Sequence, residues 1–465
     1  MRGWDLERIA GAAGAGVHRR PASPDGPLRA TIDSRGAGPG DLFFGLRGEH
    51  TDGGSHAGQA LQAGAWGVLV AGEHAGAAAA AAPEGAVLVH PDPLAALQAL
   101  AREWRRELGA RGASVIAVTG STGKTSTKDI LASLLAGQLR VSATPENLNT
   151  EIGLPLALLG AAADSEAIVL EMAMRGPGQI AQLTAIAEPD VGVIVNVGPA
   201  HLELLGSLEA IAAAKAELLA GLEPGACAVL PAGEPLLEPH LRDDIRTITF
   251  GEGGDVVLLS AEEGGAVTIG HGATRMQLLP SFSQAHQLSN LLAAVAAARA
   301  IGLTPQGPVN VSFSAMRGQR SELPGEVVVI DDCYNANPMS MRAAIDDLAA
   351  VDHGRRVAVL GDMLELGDAS PELHRQIGRY AAGGRVDLLV SVGPMAREIA
   401  AAFDGERASA RDSREAAELL TGLVRAGDTV LVKGSRGIGM EIIVRSLKES
   451  AAIPAHARAA GQEQR

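Results

Sequence analysis

VTGSTGKTSTKDILASLL, residues 118–135, carries the end of a short apolar run into a glycine-rich loop and on into a helical stretch. The run VIAVTG, residues 115–120, has the length of a buried parallel strand. The loop Gly120-Ser121-Thr122-Gly123-Lys124-Thr125-Ser126 follows G-x-x-G-K-[TS], a residue pair shorter than the common G-x-x-x-x-G-K-[ST]. Its glycines let backbone N–H groups turn onto phosphate oxygens, and the helix N-terminus adds its positive end. In that pattern Lys124 contacts the β- and γ-phosphates and Thr125 ligates Mg²⁺. The loop leaves open what the held phosphate is for: a conformational switch, hydrolysis, or activation of a second molecule.

Outward from the loop, apolar runs alternate with helical stretches. AIVLEMA and VGVIVNVG read as further parallel strands, and SLEAIAAAKAELLAGL as a helix. Residues 247–280 alternate like hairpins, so a small antiparallel patch is expected there. Upstream, ATIDSRGAGPGDLFFGLRG reads as short strands and turns, and DPLAALQALAREWRREL, 92–108, as an amphipathic connector helix. Downstream, EVVVIDD, RRVAVLGD, VDLLVSVG and DTVLVKG are strands of another α/β unit. The expected fold is α/β in three domains. They are a small N-terminal unit with linker helix over 1–108, a central mostly parallel nucleotide-binding unit over 109–316, and a C-terminal Rossmann-like unit over 317–450. A flexible tail follows over 451–465.

The chain's 465 residues suit about three domains. Aromatics make up 2%, so the cores must be built from Ala, Leu, Val and Ile. A net charge of −15 argues against a nucleic-acid partner, which needs a basic footprint. The two cysteines, Cys227 and Cys333, have no metal-ligand spacing and suit a reducing cytoplasm. The N-terminal stretch lacks the apolar core of a signal peptide, and the Ala-rich stretch near residue 78 is too short and weakly apolar to span a bilayer. A cytoplasmic protein without membrane insertion is expected.

Several further residues are candidates. Glu171 ends AIVLEMA, and an acid at the carboxyl end of a parallel strand lies in the ligand crevice. His201 follows VGVIVNVG at a similar place and could meet Glu171 at one metal. Lys215, inside an Ala-rich helix, reads on pattern alone as a surface lysine. His286 and Asn290 lie four apart on one helix face. IDDCYNANPMSM crowds two acids, Tyr334, Asn335 and Asn337 after a strand, where an asparagine would also cap the next helix.

Taken together, TIDSRGAGPGDLFFGLRGEHTDG, VTGSTGKTSTKD, ENLNTEIGLPLALL, VLEMAMRGPGQI, VNVGPAHLELLGSLEAIAAAKAELL, DDCYNANPMSM and LGDMLELG resemble the Mur ligase family of bacterial cell-wall synthesis. The resemblance spans roughly residues 28–445. DDCYNANPMSM and LGDMLELG are most similar to the branch that adds D-alanyl-D-alanine to a UDP-N-acetylmuramoyl tripeptide. It implies an ATP- and Mg²⁺-dependent ligase in which a carboxylate is activated as an acyl phosphate and attacked by the dipeptide's amine. It further implies Thr125 and Glu171 at one Mg²⁺, and His201 and Lys215 at a second, with Lys215 carbamylated by CO₂. Asn290, Tyr334 and Asn335 would contact adenine and ribose, and Arg320 the phosphates. Ser34 and Arg35 would hold the UDP part, and Asn149 and Thr150 would lie near the muramoyl part. Monomers are the family's default, and the C-terminal unit is expected to rotate about 315–322.

Four spellings depart from the family: DGGSH, 52–56, stands where DGHxF is usual; NLNT, 147–150, where N-x-N-N is common; Gln179 where Glu is frequent; and SFSQAHQLSN, 281–290, lacks the Asn that often follows the histidine. Competing readings are a sibling ligase, adding the third amino acid or acting as folylpolyglutamate synthase, and a P-loop ATPase switch without ligation. CYNANPMSM and the SR-x₄-GDLFF motif argue against the siblings. The short loop argues against the switch.

Overall fold

The computed structural model describes residues 1, 3–22, 25–145 and 147–452. Three sheets organise them. Strands between residues 16 and 89 form a five-stranded sheet, parallel except for Gly16–Arg19, which runs antiparallel to Ala86–Val89. The helix Pro93–Ala110 leaves this sheet. Asp92 caps it by accepting from Leu94 N and Ala95 N, and Pro93 occupies the first turn, where a missing N–H costs nothing. Trp104 on this helix is fully buried, edge-on to Trp4 at 5.5 Å. Arg105 then bonds Ala187 O, Glu188 O and the Asp190 carboxylate, tying the connector to the next unit.

The central sheet has ten strands. Its middle is parallel, with Ser114–Thr119 lying between Ala167–Glu171 and Val191–Ile194. Chain order reverses across that central strand, so the crevice at its carboxyl end is a topological switch point. The strand is apolar on both faces because both are covered. Val115 and Ala117 join one core, and Ile116 and Val118 the other. The helix Lys124–Ala136 packs against Ala285–Ala300, whose Ala293, Ala294, Ala296, Ala297 and Ala298 are fully buried. Small side chains there let two helix backbones approach closely under the nucleotide loop. Val256–Ala261, Val267–His271 and Thr274–Pro280 form the antiparallel patch expected from their alternation.

The third sheet has six strands, parallel except for the edge hairpin Gln319–Leu323 with Val327–Asp332. The fold is therefore α/β with three mostly parallel sheets. Among the described residues, no helix is long and apolar enough to cross a membrane. The tail expected over 451–465 begins inside the helix Glu441–Ala452 and otherwise lies outside the described residues.

Candidate active site

The loop 120–126 is gripped from the neighbouring strand end. Asn196 accepts from Ser121 N at 3.1 Å and Thr122 N at 2.9 Å through Oδ1, and donates to Thr122 Oγ1 through Nδ2. Ser121 Oγ donates to Gly198 O and accepts from Gly198 N. Gly123 has φ +74°, and Gly120 is also at positive φ, backbone that L side chains rarely adopt. Lys124 Nζ folds back onto Gly120 O at 2.9 Å. Burial lowers its pKa, the nearby Glu171 charge opposes that, and Arg317 adds to it. A phosphate would satisfy such a desolvated ammonium. Ser126 is buried in the first helical turn.

Thr125 and Glu171 meet at the carboxyl end of the central strands. Thr125 Oγ1 donates to Glu171 Oε2 at 2.8 Å, and Asn149 Nδ2 donates to Glu171 Oε1 at 2.8 Å. These are hard oxygen donors of the kind that would suit Mg²⁺. Asn149 thus lies on the carboxylate. Thr150 is exposed and accepts from Gly153 N at the start of the helix Gly153–Gly160.

Lys215 is 1% exposed, so the surface reading of its helix pattern does not hold. Among the described residues it has neither a hydrogen bond nor an ion pair. Burial pushes its pKa well below the usual lysine value, and the charge of Lys124 pushes it further. Both effects favour the neutral, nucleophilic amine over the ammonium. A buried lysine without a partner is costly as an ammonium, and an ammonium beside a divalent cation would be repelled. A carboxylated nitrogen would fit. Burial lowers the His201 pKa, the Glu365 carboxylate opposes this, and the charges of Lys124 and Lys215 add smaller downward pushes. Its Nδ1 lies 2.5 Å from Glu365 Oε2, on a loop of the third sheet.

That third unit supplies more. Arg317 Nη2 donates to Thr125 Oγ1 at 3.2 Å, and its guanidinium sits 3.9 Å over the Tyr334 ring. Arg320, expected at the phosphates, instead pairs with Asp347. Lys433, 2% exposed, bonds Asp332 Oδ2 and Asn335 O, and so shapes the Tyr334–Asn335 turn from below. Asn337 caps the following helix in a reciprocal box with Ser340. Asn290 is buried against the loop, with a Gly123 Cβ position 2.5 Å from its Oδ1, while its Nδ2 donates to Gln287.

The N-terminal candidates are separate. Ser34 is buried and bonds Gln59, whereas Arg35 is exposed and pairs with Asp33. At the departure DGGSH, a side chain on Gly54 would collide with the His74 ring, whose Nε2 lies 3.1 Å from Asp52 Oδ2. The His74 ring thus fills the space that a side chain at position 54 would take. Gln179 likewise has a local task, its Oε1 accepting from Arg175 N and Gly176 N. Sequence reasoning missed Asn196, Arg317, Glu365 and Lys433. Asn196 and Glu365 lay inside motifs already singled out.

Residues 30–105 match the family description Mur ligase family, catalytic domain; 118–298 match Mur ligase middle domain; and 313–436 match Mur ligase, glutamate ligase domain. The UDP-N-acetylmuramoyl-tripeptide–D-alanyl-D-alanine ligase of Bacillus subtilis is 36% identical, over 90% of this chain and 92% of its own. The enzyme of the same name from Escherichia coli is 31% identical over 90% and 93%. Among solved structures, MurF from Acinetobacter baumannii aligns with TM-score 0.84 at 29% identity, covering 96% of this chain and 99% of that one. MurF from Thermotoga maritima in complex with ADP aligns with TM-score 0.77 at 31% identity, covering 91% and 97%. By sequence along nearly its whole length, and by fold, the chain belongs to the Mur ligase family.

Proposed function

We propose that the chain is an ATP-dependent amide ligase that joins D-alanyl-D-alanine to UDP-N-acetylmuramoyl tripeptide, giving the pentapeptide, ADP and phosphate in peptidoglycan synthesis. The observation that carries this reading is the assembly at one switch point of a phosphate loop, the Thr125–Glu171 pair and the buried, unpartnered Lys215. A plain ATPase has no use for the last. The relatives named for this reaction, and the ADP complex of one of them, support it.

In this reading the tripeptide's terminal carboxylate takes a phosphoryl group from ATP, and the dipeptide's amine then displaces phosphate. The loop N–H groups freed from Asn196 hold the phosphates, with Lys124 reaching over them. Thr125 and Glu171 hold one Mg²⁺; His201 and a carbamylated Lys215 hold a second. Mg²⁺ supplies charge neutralisation during transfer. Arg317 approaches from the third sheet beside Thr125, placed to stabilise charge on the transferred group. Asn290, Tyr334 and Asn335 border the nucleoside, and Ser34 and Arg35 the UDP part. Asn149 fixes the Glu171 carboxylate next to the muramoyl end. The protein acts as a cytoplasmic monomer without nucleic acid, in three units bounded near residues 108 and 316.

The test is phosphate release from ATP with Mg²⁺, UDP-N-acetylmuramoyl tripeptide and D-alanyl-D-alanine, leaving out each in turn. Release requiring both co-substrates, with pentapeptide formed, is the expected result. Release indifferent to both would establish an ATPase instead, and acceptance of a single amino acid in place of the dipeptide would move the assignment to a sibling ligase.

A further inference from the structure

We propose that Glu365, supplied by the third sheet, is a positioning residue for His201 of the central unit and sets which ring nitrogen His201 offers to the metal. The inference rests on the reading of His201 as a metal ligand. His201 Nδ1 is 2.5 Å from Glu365 Oε2, so in the neutral ring Nδ1–H donates to the carboxylate and Nε2 keeps the free lone pair. Metal-binding histidines characteristically give their second nitrogen to a carboxylate, which fixes tautomer and ring orientation. Here the carboxylate comes from 164 residues away, on the loop that follows Arg356–Gly361 of the third sheet.

Both residues are held in place by more than this contact. His201 has φ 60° and Glu365 φ 62°, left-handed backbone that non-glycine residues rarely adopt and that persists where surroundings enforce it. Glu365 O accepts from Glu203 N at 3.0 Å, so main chain and side chain bridge the same gap. Gly367 closes on Glu203 with room for little more, a Cβ there standing 3.3 Å from Glu203 Cα. Met339 lies over Gly198 so closely that a side chain at 198 would collide with it. The Glu365 loop is itself pinned. Met363 N donates to His374, Leu364 N to Ser435 Oγ, and Asp362 accepts from Ala396 N. The carboxylate is thus presented from a rigid base, and the orientation of a central-unit ligand depends on the third unit being docked.

The experiment is Mn²⁺ titration of the full-length protein with ADP, followed by the free Mn²⁺ paramagnetic resonance signal, on wild type, Glu365→Gln, Glu365→Asp, His201→Ala and the Glu365→Gln/His201→Ala pair. Glu365→Gln is expected to weaken Mn²⁺ binding about 10-fold, within the range for residues that orient a ligand, and Glu365→Asp to restore part of it. Because Glu365 acts through His201, adding Glu365→Gln to His201→Ala should cost nothing further. Unchanged binding in Glu365→Gln while His201→Ala weakens it would overturn this inference alone. So would additive losses in the double variant. Unchanged binding in His201→Ala would remove the metal reading of His201, and this inference with it.

Discussion

A Cβ on Gly123 would stand 2.5 Å from Asn290 Oδ1. With φ +74° at the same residue, the position excludes any side chain on two independent grounds. Gly123→Ala is expected to cost about 1–3 kcal/mol in strain and to lower ADP affinity about 10-fold or more, read by calorimetric titration. Asn290→Ala in the same chain should recover the part of the stability loss due to the clash and leave the part due to φ, read by thermal unfolding. Equal affinity for Gly123→Ala and wild type would mean that the loop does not hold phosphate in this conformation.

Thr125 and Glu171 are bonded to each other and face the same crevice. Glu171→Gln keeps the shape while removing the charge, and its single amide oxygen can go on accepting from only one of Thr125 Oγ1 and Asn149 Nδ2. It should reduce co-substrate-dependent phosphate release about 100-fold or more, in line with loss of an electrostatic element of the transition state. Part of that loss should return at high Mg²⁺. An undiminished rate would separate Glu171 from the metal.

Two arginines three residues apart should behave differently. Arg317 reaches Thr125 and stacks on Tyr334, while Arg320 makes a part-exposed pair with Asp347. Arg317→Ala is expected to lower kcat about 100-fold. Arg320→Ala should leave kcat near wild type and change stability by no more than about 1 kcal/mol. Steady-state rates and thermal unfolding of the two variants decide it, and a reversed order would restore Arg320 to the phosphates.

The contrast shows where sequence is legible. The loop 120–126 could be read because all its parts are contiguous, and the strand before it because burial on both faces leaves an unbroken apolar run. Glu171 could be placed because a strand's carboxyl end is a fixed address. Arg317 could not be told from Arg320. Their aim depends on the turn at Met316, with φ 60°, and on the register of the hairpin that follows. Asn196 and Glu365 could not be assigned because their partners are 74 and 164 residues distant. Lys215 is the clearest failure of local pattern. Its Ala-rich helix has no polar face, so periodicity gave no sign that the lysine points inward.

The buried Lys215 amine, its pKa pushed well below the usual lysine value, should take up CO₂. Activity is expected to fall in CO₂-depleted buffer and return with bicarbonate, and protein equilibrated with ¹³C-bicarbonate should show a carbamate carbon resonance that Lys215→Met lacks. Absence of that resonance in active wild-type protein would leave Lys215 as an amine and the second metal without its carboxylate.

Acid should loosen the loop that carries Glu365. His374 is fully buried, with Nδ1 at 2.7 Å from Ser370 O and Nε2 accepting from Met363 N at 3.0 Å. That pair of bonds needs the neutral ring: Nδ1–H donates, Nε2 accepts, and protonating Nε2 turns an acceptor into a donor facing Met363 N–H. Burial accordingly lowers its pKa below the ordinary 6.5. In the window between that depressed value and 6.5 the unfolded chain binds more protons than the folded one, so stability rises with pH there. The contribution of His374 is full above 6.5 and is lost as pH falls through the folded value. His374→Gln can still donate to Ser370 O or accept from Met363 N but cannot titrate. It should be less stable than wild type at neutral pH, and the gap should narrow as the pH falls below 6.5. Chemical denaturation across that range reads the difference, and a gap of constant size would mean that His374 does not couple this loop to pH.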